Sequence, residues 1–206
     1  MKNIFYFAAL IAISLLFVQC EQISYGSNAS GSHNGHEYVD LGLSVKWATC
    51  NVGAESPEDY GDYFAFGELE PKTTYNWSTY NDDWGYEFGA PDLLASYSDV
   101  ATVNWGDTWR MPTKDELEDL YYDCEWKWTK FKGIEGYKIT GANGNSIFLP
   151  AASFMTEDKL AGKDYANYYW SKSIGTCLKF SEYSVYVSDR HGSSFCSGFQ
   201  IRPVCP

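Results

Sequence analysis

The chain contains no Cys-x-x-Cys pair and only three histidines, His33, His36 and His191, so the ligands of a structural zinc site are scarce. His33-Asn34-Gly35-His36 has a ligand-like spacing, but it lies in a Ser/Gly/Asn-rich stretch that offers no fixed geometry. No Gly-x-Ser-x-Gly elbow and no glycine-rich phosphate loop occurs, and beyond that polar stretch His191 is the sole histidine that could act as a general base. The usual signatures of serine hydrolases and phosphate-binding enzymes are therefore missing. Basic side chains are also few: 15 Lys and Arg stand against 27 Asp and Glu, a net charge of -12. Nucleic-acid affinity comes largely from Lys and Arg displacing phosphate counterions, so nucleic acid is not an expected partner. No tandem repeat is present, and past the first twenty residues no apolar run reaches membrane length.

What is present begins with an export address. Lys2 precedes an apolar run from Ile4 to Val18, interrupted only by Ser14, and Cys20 follows two residues later. A spanning helix needs about 20 apolar residues, so a run this short reads as a signal-peptide core. The cysteine followed by Glu21 and Gln22 resembles the lipobox of bacterial lipoproteins, whose cysteine becomes the lipidated N-terminus; Gln19 departs from the small residue usual before it. The expected organisation is a signal peptide over 1–19, lipid attachment at Cys20, a flexible tether over 20–36 and one domain over 37–206. The expected location is the bacterial cell envelope, as an outer-membrane lipoprotein on the surface or periplasmic side, with the lipid as the only contact with membrane.

Charge is unevenly spread along the domain. From Glu37 to Glu125 there are twenty acidic and four basic residues, whereas Trp126 to Pro206 carries ten basic and six acidic. Anionic polysaccharide is thus disfavoured unless it meets the second half. Five cysteines follow Cys20: Cys50, Cys124, Cys177, Cys196 and Cys205. Outside the cytoplasm disulfides are expected, and an odd number leaves at least one thiol over.

Short alternating segments predict strands at 37–40, 44–50, 60–66, 125–128, 137–140, 146–149, 168–172, 177–180, 184–188 and 199–204. Asn143-Gly144 between two of them is a hairpin signal. One helix is well marked: Thr113 as N-cap, Glu116 three residues on as its capping-box partner, then Leu117, Leu120, Tyr121 and Cys124 at helical spacing. The stretch from Pro71 to Asp99 follows neither period and reads as a long irregular excursion, ordered by its aromatic content. The fold class is α+β, with short antiparallel strands and one or two helices.

Several runs carry a resemblance: Tyr38-Val39-Asp40-Leu41-Gly42-Leu43-Ser44-Val45-Lys46-Trp47-Ala48, Trp109-Arg110-Met111-Pro112-Thr113-Lys114-Asp115-Glu116-Leu117, Asn145 to Ala151, Tyr169-Trp170-Ser171 and Gly198 to Val204. Together they resemble the Fibrobacter succinogenes major paralogous domain family over essentially the whole domain. The resemblance implies a C-type-lectin-like fold in lipoproteins and surface proteins of gut and rumen bacteria, with ligands mostly unassigned. Trp109 to Glu116 and Gly198 to Arg202 also resemble formylglycine-generating enzymes, which share that fold. Residues common to both groups read as scaffold, which makes Arg110 and Arg202 expected structural arginines. By analogy with lectin-like folds the resemblance favours a Cys124–Cys205 disulfide, with Cys177 and Cys196 as a local bridge.

Amphipathic aromatic rings beside amides and carboxylates suit sugar binding, because the rings cover C–H patches while the polar groups bond the hydroxyls. Trp77, Tyr80, Asn81, Asp82, Asp83, Trp84 and Tyr86 form the first candidate surface, and their rival role is a minor core beneath a long loop. The turn Asp189-Arg190-His191 is the second candidate. No catalytic residue and no metal site is expected. Calcium is the one cofactor left open, with Asp82, Asp83, Asp99 and Asp107 as candidate oxygen ligands, but there is no EF-hand loop and Glu70-Pro71-Lys72 only approaches the calcium-and-sugar tripeptide of C-type lectins. The expected partner is a glycan or a surface protein. The enzyme alternatives are a formylglycine-type oxidation at Cys196 and Cys205, or a carboxylate pair including Glu68.

Overall fold

The computed structural model describes residues 29–87, 89–162, 166–189 and 194–206. The export segment, Cys20, the first part of the tether, Arg190 and His191 lie outside them. The described elements run β1 (Gly31–His33), β2 (His36–Val39), β3 (Lys46–Ala48), β4 (Tyr86–Glu87), β5 (Ala90–Leu94), α1 (Val100–Trp105), α2 (Lys114–Tyr122), β6 (Glu125–Phe131), β7 (Ile134–Thr140), β8 (Ser146–Pro150), β9 (Phe154–Thr156), β10 (Lys159–Ala161), β11 (Asn167–Trp170), β12 (Cys177–Ser181), β13 (Ser184–Ser188) and β14 (Val204–Cys205). Every strand pair is antiparallel, and with two helices among the described residues the class is α+β.

Three sheets make the frame, in the orders β1-β2-β3-β14, β6-β7-β8 and β11-β12-β13. Successive side chains of a strand face opposite ways, and here both faces are buried. Trp47, Tyr169, Leu178, Phe180 and Val204 enter one apolar cluster, with Leu117 and Leu120 of α2 and Ile139, Ile147 and Leu149 of the second sheet. Their chain neighbours Ala48, Trp170, Cys177 and Cys205 enter the other cluster, with Phe64, Phe66, Trp105, Trp109 and Phe199. A one-residue slip in β3, β11, β12 or β14 would exchange the two cores, so the register is strongly specified.

α2 starts as its sequence predicts. The Thr113 hydroxyl accepts from the Glu116 amide at 3.3 Å, and the Glu116 carboxylate accepts from the Thr113 amide at 2.8 Å. Glu116 also takes both Arg110 guanidinium nitrogens, at 2.7 and 2.5 Å, so the cap is fixed to the chain entering it. Arg202 is 1 % exposed and has no carboxylate partner among the described residues; its N–H groups reach Asn51 Oδ1 and the carbonyls of Ala48, Thr49 and Phe148 at 2.8–3.0 Å. It ties three separate segments together. Arg110, in contrast, is only partly buried.

Two expectations meet a different outcome. Folded structure begins within the stretch read as tether: β1 and β2 form a hairpin whose turn residues Asn34 and Gly35 have φ of 49° and 84°, the left-handed pair a two-residue turn requires. The Trp109 indole donates to His33 O at 3.0 Å, the Asn34 amide donates to Trp105 O at 2.9 Å, and the His36 ring stacks on Trp105 with centroids 3.7 Å apart. These contacts hold polar sequence in place although its composition reads as flexible. The second concerns the cysteines: all five are free thiols, so neither Cys124–Cys205 nor Cys177–Cys196 is bridged.

Candidate functional site

The irregular stretch after Phe66 is ordered by a small number of polar bonds. Gly67 has φ 75°, and a Cβ there would meet the Trp84 ring at 2.7 Å, so the close approach of chain and indole requires glycine. The Trp84 indole packs edge-on to Phe66 at 5.2 Å and to Phe195 at 5.8 Å, and donates to the Tyr80 hydroxyl at 2.8 Å. That hydroxyl in turn donates to Phe66 O at 2.9 Å, and burial pushes its pKa well above the ordinary tyrosine value. Glu68 takes Lys72 Nζ at 2.7 Å and the Asn81 amide at 2.7 Å, closing the base of the loop. Asn76 Oδ1 accepts from the Ser78 and Thr79 amides, an Asx turn that presents Trp77 outward.

The aromatic residues singled out from sequence therefore divide. Trp84 and Tyr80 are half-buried and structural, as their rival role required. Trp77 is 59 % exposed and lies edge-on to Tyr80 with centroids 5.4 Å apart; Tyr86, equally open to solvent, lies edge-on to Trp84 at 5.7 Å. Asn81, Asp82 and Asp83 are exposed on the same loop. Beside them opens a cleft of ≈ 470 Å³ lined by Glu68, Glu70, Lys72, Asn81, Asp83 and Tyr97 among others. Tyr97 escaped the sequence reading. It stands in the turn before α1 with its hydroxyl against Gly85, and nothing local in the sequence marks it as part of the loop's surface.

The second candidate surface is elsewhere. Asp189 faces Lys114 at the start of α2, at 3.4 Å, and is not brought to the 77–86 loop; Arg190 and His191 lie outside the described residues.

The carboxylates offered for calcium do not converge. Asp99 is fully buried and caps α1, accepting from the amides of Ala101, Thr102 and Met111 at 3.0–3.1 Å, so its oxygens already serve the backbone. Burial raises its pKa, against the lowering effect of those bonds. Among the described residues no group of three or more His, Cys, Asp or Glu is placed to hold a metal ion. The thiols are similarly quiet: burial raises Cys196 and Cys205, and takes Cys124 to about 11, so each stays protonated near neutral pH. Glu68, the carboxylate considered for glycosidase chemistry, is committed to Lys72 and Asn81. The exposed Trp77 ring thus offers an apolar face on the same loop as the hydrogen-bonding groups of Asn81, Asp82 and Asp83.

No family model, curated protein or solved structure matches the chain. Among the described residues no helix is long and apolar enough to cross a membrane.

Proposed function

We propose that the chain is a bacterial envelope lipoprotein of the major paralogous domain family, anchored through Cys20, whose lectin-like domain binds glycan through its loops without altering it. The observation that carries the reading is the aromatic platform: Trp77, 59 % exposed, lies edge-on to a Tyr80 whose hydroxyl is held from two sides, on the loop whose Asn81 and Asp83 line the ≈ 470 Å³ cleft. A ring held in place before the ligand arrives loses little entropy on binding. The cleft carries Glu68, Glu70 and Asp83 against Lys72, so it favours neutral over anionic sugars. A glycan array probed with the full chain tests this. Binding that falls at least about tenfold in Trp77→Ala supports the proposal, and background signal on every glycan removes it. Incorporation of labelled palmitate, abolished by Cys20→Ala, tests the anchor.

A second reading, a protein-interaction module of a surface assembly, is favoured by exposed tyrosines outside the cleft's lining, Tyr122 at 74 % and Tyr183 at 87 % exposure. Tyrosine is enriched at protein interfaces. Capture of the same outer-membrane protein by wild type and by Trp77→Ala, lost on Tyr183→Ala, would select this reading.

A further inference from the structure

A second cavity, ≈ 330 Å³, lies between the β6–β7 hairpin, the residues around Ser153 and the loop that carries Tyr60. Neither ligand surface read from the sequence includes it. Trp128 and Tyr60 are among the residues that line it. Trp128 is held edge-on to Tyr137 with centroids 5.0 Å apart, and the hairpin turn is fixed where Lys132 pairs with Glu58 at 2.7 Å. Ser153, which also lines the cavity, is a non-glycine residue with φ 60°, a conformation that persists where the surroundings impose it and that concentrates at ligand sites.

The polar lining specifies the ligand. Asn167 is 3 % exposed; its Oδ1 accepts from the Ser153 amide at 2.8 Å and its Nδ2 donates to Phe180 O at 3.1 Å. A side-chain amide can make four hydrogen bonds, so among the described residues one N–H and one lone pair of Asn167 are uncommitted. A hydroxyl, donor and acceptor at once, complements that pair. The charges of the lining cancel, since Lys130 and Glu135 face each other at 3.3 Å, and a charged ligand would lose hydration without gaining an unpaired counter-ion.

We propose that this cavity is a binding site for a neutral pyranoside, one sugar ring covered by Trp128 and Tyr60 with a hydroxyl bonded to Asn167. The volume is at the small end of the roughly 300–1,000 Å³ typical of small-ligand sites, which fits a terminal residue and not a long chain. The site stands on a different cavity from the Trp77 platform and holds even if that platform binds nothing.

The test uses the full chain in a detergent without a sugar headgroup, probed by saturation-transfer NMR and titration with methyl glucoside, methyl galactoside, methyl mannoside, glucosamine and glucuronate. The expected result is a Kd on the order of 1 mM for at least one methyl pyranoside, at least about tenfold weaker binding of glucosamine and glucuronate, and a loss of about tenfold in Tyr60→Ala but not in Trp77→Ala. Tyr60 is partly exposed, so its truncation is the milder variant; Trp128→Ala, which removes a ring packed on the core, is the second and is read at a temperature below its own unfolding midpoint. No transfer to any methyl pyranoside at ~10 mM, or binding unchanged in both Tyr60→Ala and Trp128→Ala, overturns the proposal. Binding lost in Trp77→Ala and kept in the other two would assign it to the first platform and likewise overturn it.

Discussion

The indole of Trp84 and the hydroxyl of Tyr80 are joined by a 2.8 Å hydrogen bond, and the same hydroxyl reaches Phe66 O at 2.9 Å. One oxygen thus links a loop, an inward-facing ring and the backbone of buried Phe66. Tyr80→Phe keeps the ring but strands a donor and an acceptor, each at a cost of about 1–3 kcal/mol where water cannot reach it. We expect a loss of ~2 kcal/mol in chemical denaturation and a weaker glycan signal, whereas Trp77→Ala weakens the glycan signal at unchanged stability because Trp77 is exposed.

Gly67→Ala attacks the same platform through the backbone. The site combines φ 75° with the Trp84 ring 2.7 Å from a built Cβ. A loss of more than about 1 kcal/mol is expected, together with a change in tryptophan fluorescence as Trp84 moves; an unchanged spectrum and midpoint would contradict the account of the loop.

Arg202 holds a buried positive charge on four acceptors. Arg202→Met should cost ~3 kcal/mol or more, because buried carbonyls lose their donors together. Arg202→Lys should recover little of it, since an ammonium cannot span the fork from Asn51 to Phe148. Thermal or denaturant unfolding of the two variants reads both effects.

Histidine 36 gives the domain a pH dependence with a definite sign. Burial against Trp105 lowers its pKa below the ordinary 6.5. The unfolded chain therefore binds the proton more readily, and stability is lost as pH falls from 6.5 through the lowered value. The unfolding midpoint of wild type should drop across that window relative to His36→Phe, which keeps an aromatic ring and cannot titrate.

Glu116 acts lower on the scale. Its burial would raise the pKa, but the Arg110 guanidinium and the Thr113 amide and hydroxyl outweigh that and hold it below the ordinary 4.5. Its contribution is present above 4.5 and disappears as pH falls through the depressed value. Glu116→Gln should flatten that acid limb while lowering stability at neutral pH by ~1–2 kcal/mol.

Much of this was legible locally. The capping box at Thr113 and Glu116, the facing tryptophans of β6 and the Asn143-Gly144 hairpin depend on neighbours a few residues away, where side-chain geometry is set by the chain itself. The Asn34-Gly35 turn was equally local, yet the composition around it reads as linker. What overrides composition there is the approach of Trp105 and Trp109, some seventy residues later.

The sequence by itself determined the α+β character and the register-defining apolar pattern, because periodicity and turn chemistry act over a few residues. Tertiary structure alone decided which aromatic rings face outward, whether the aspartates converge, and that Tyr60, Trp128 and Asn167 share a cavity. Those outcomes depend on which distant segments fill the space beside each side chain, and packing of that kind leaves no spacing in the chain to read.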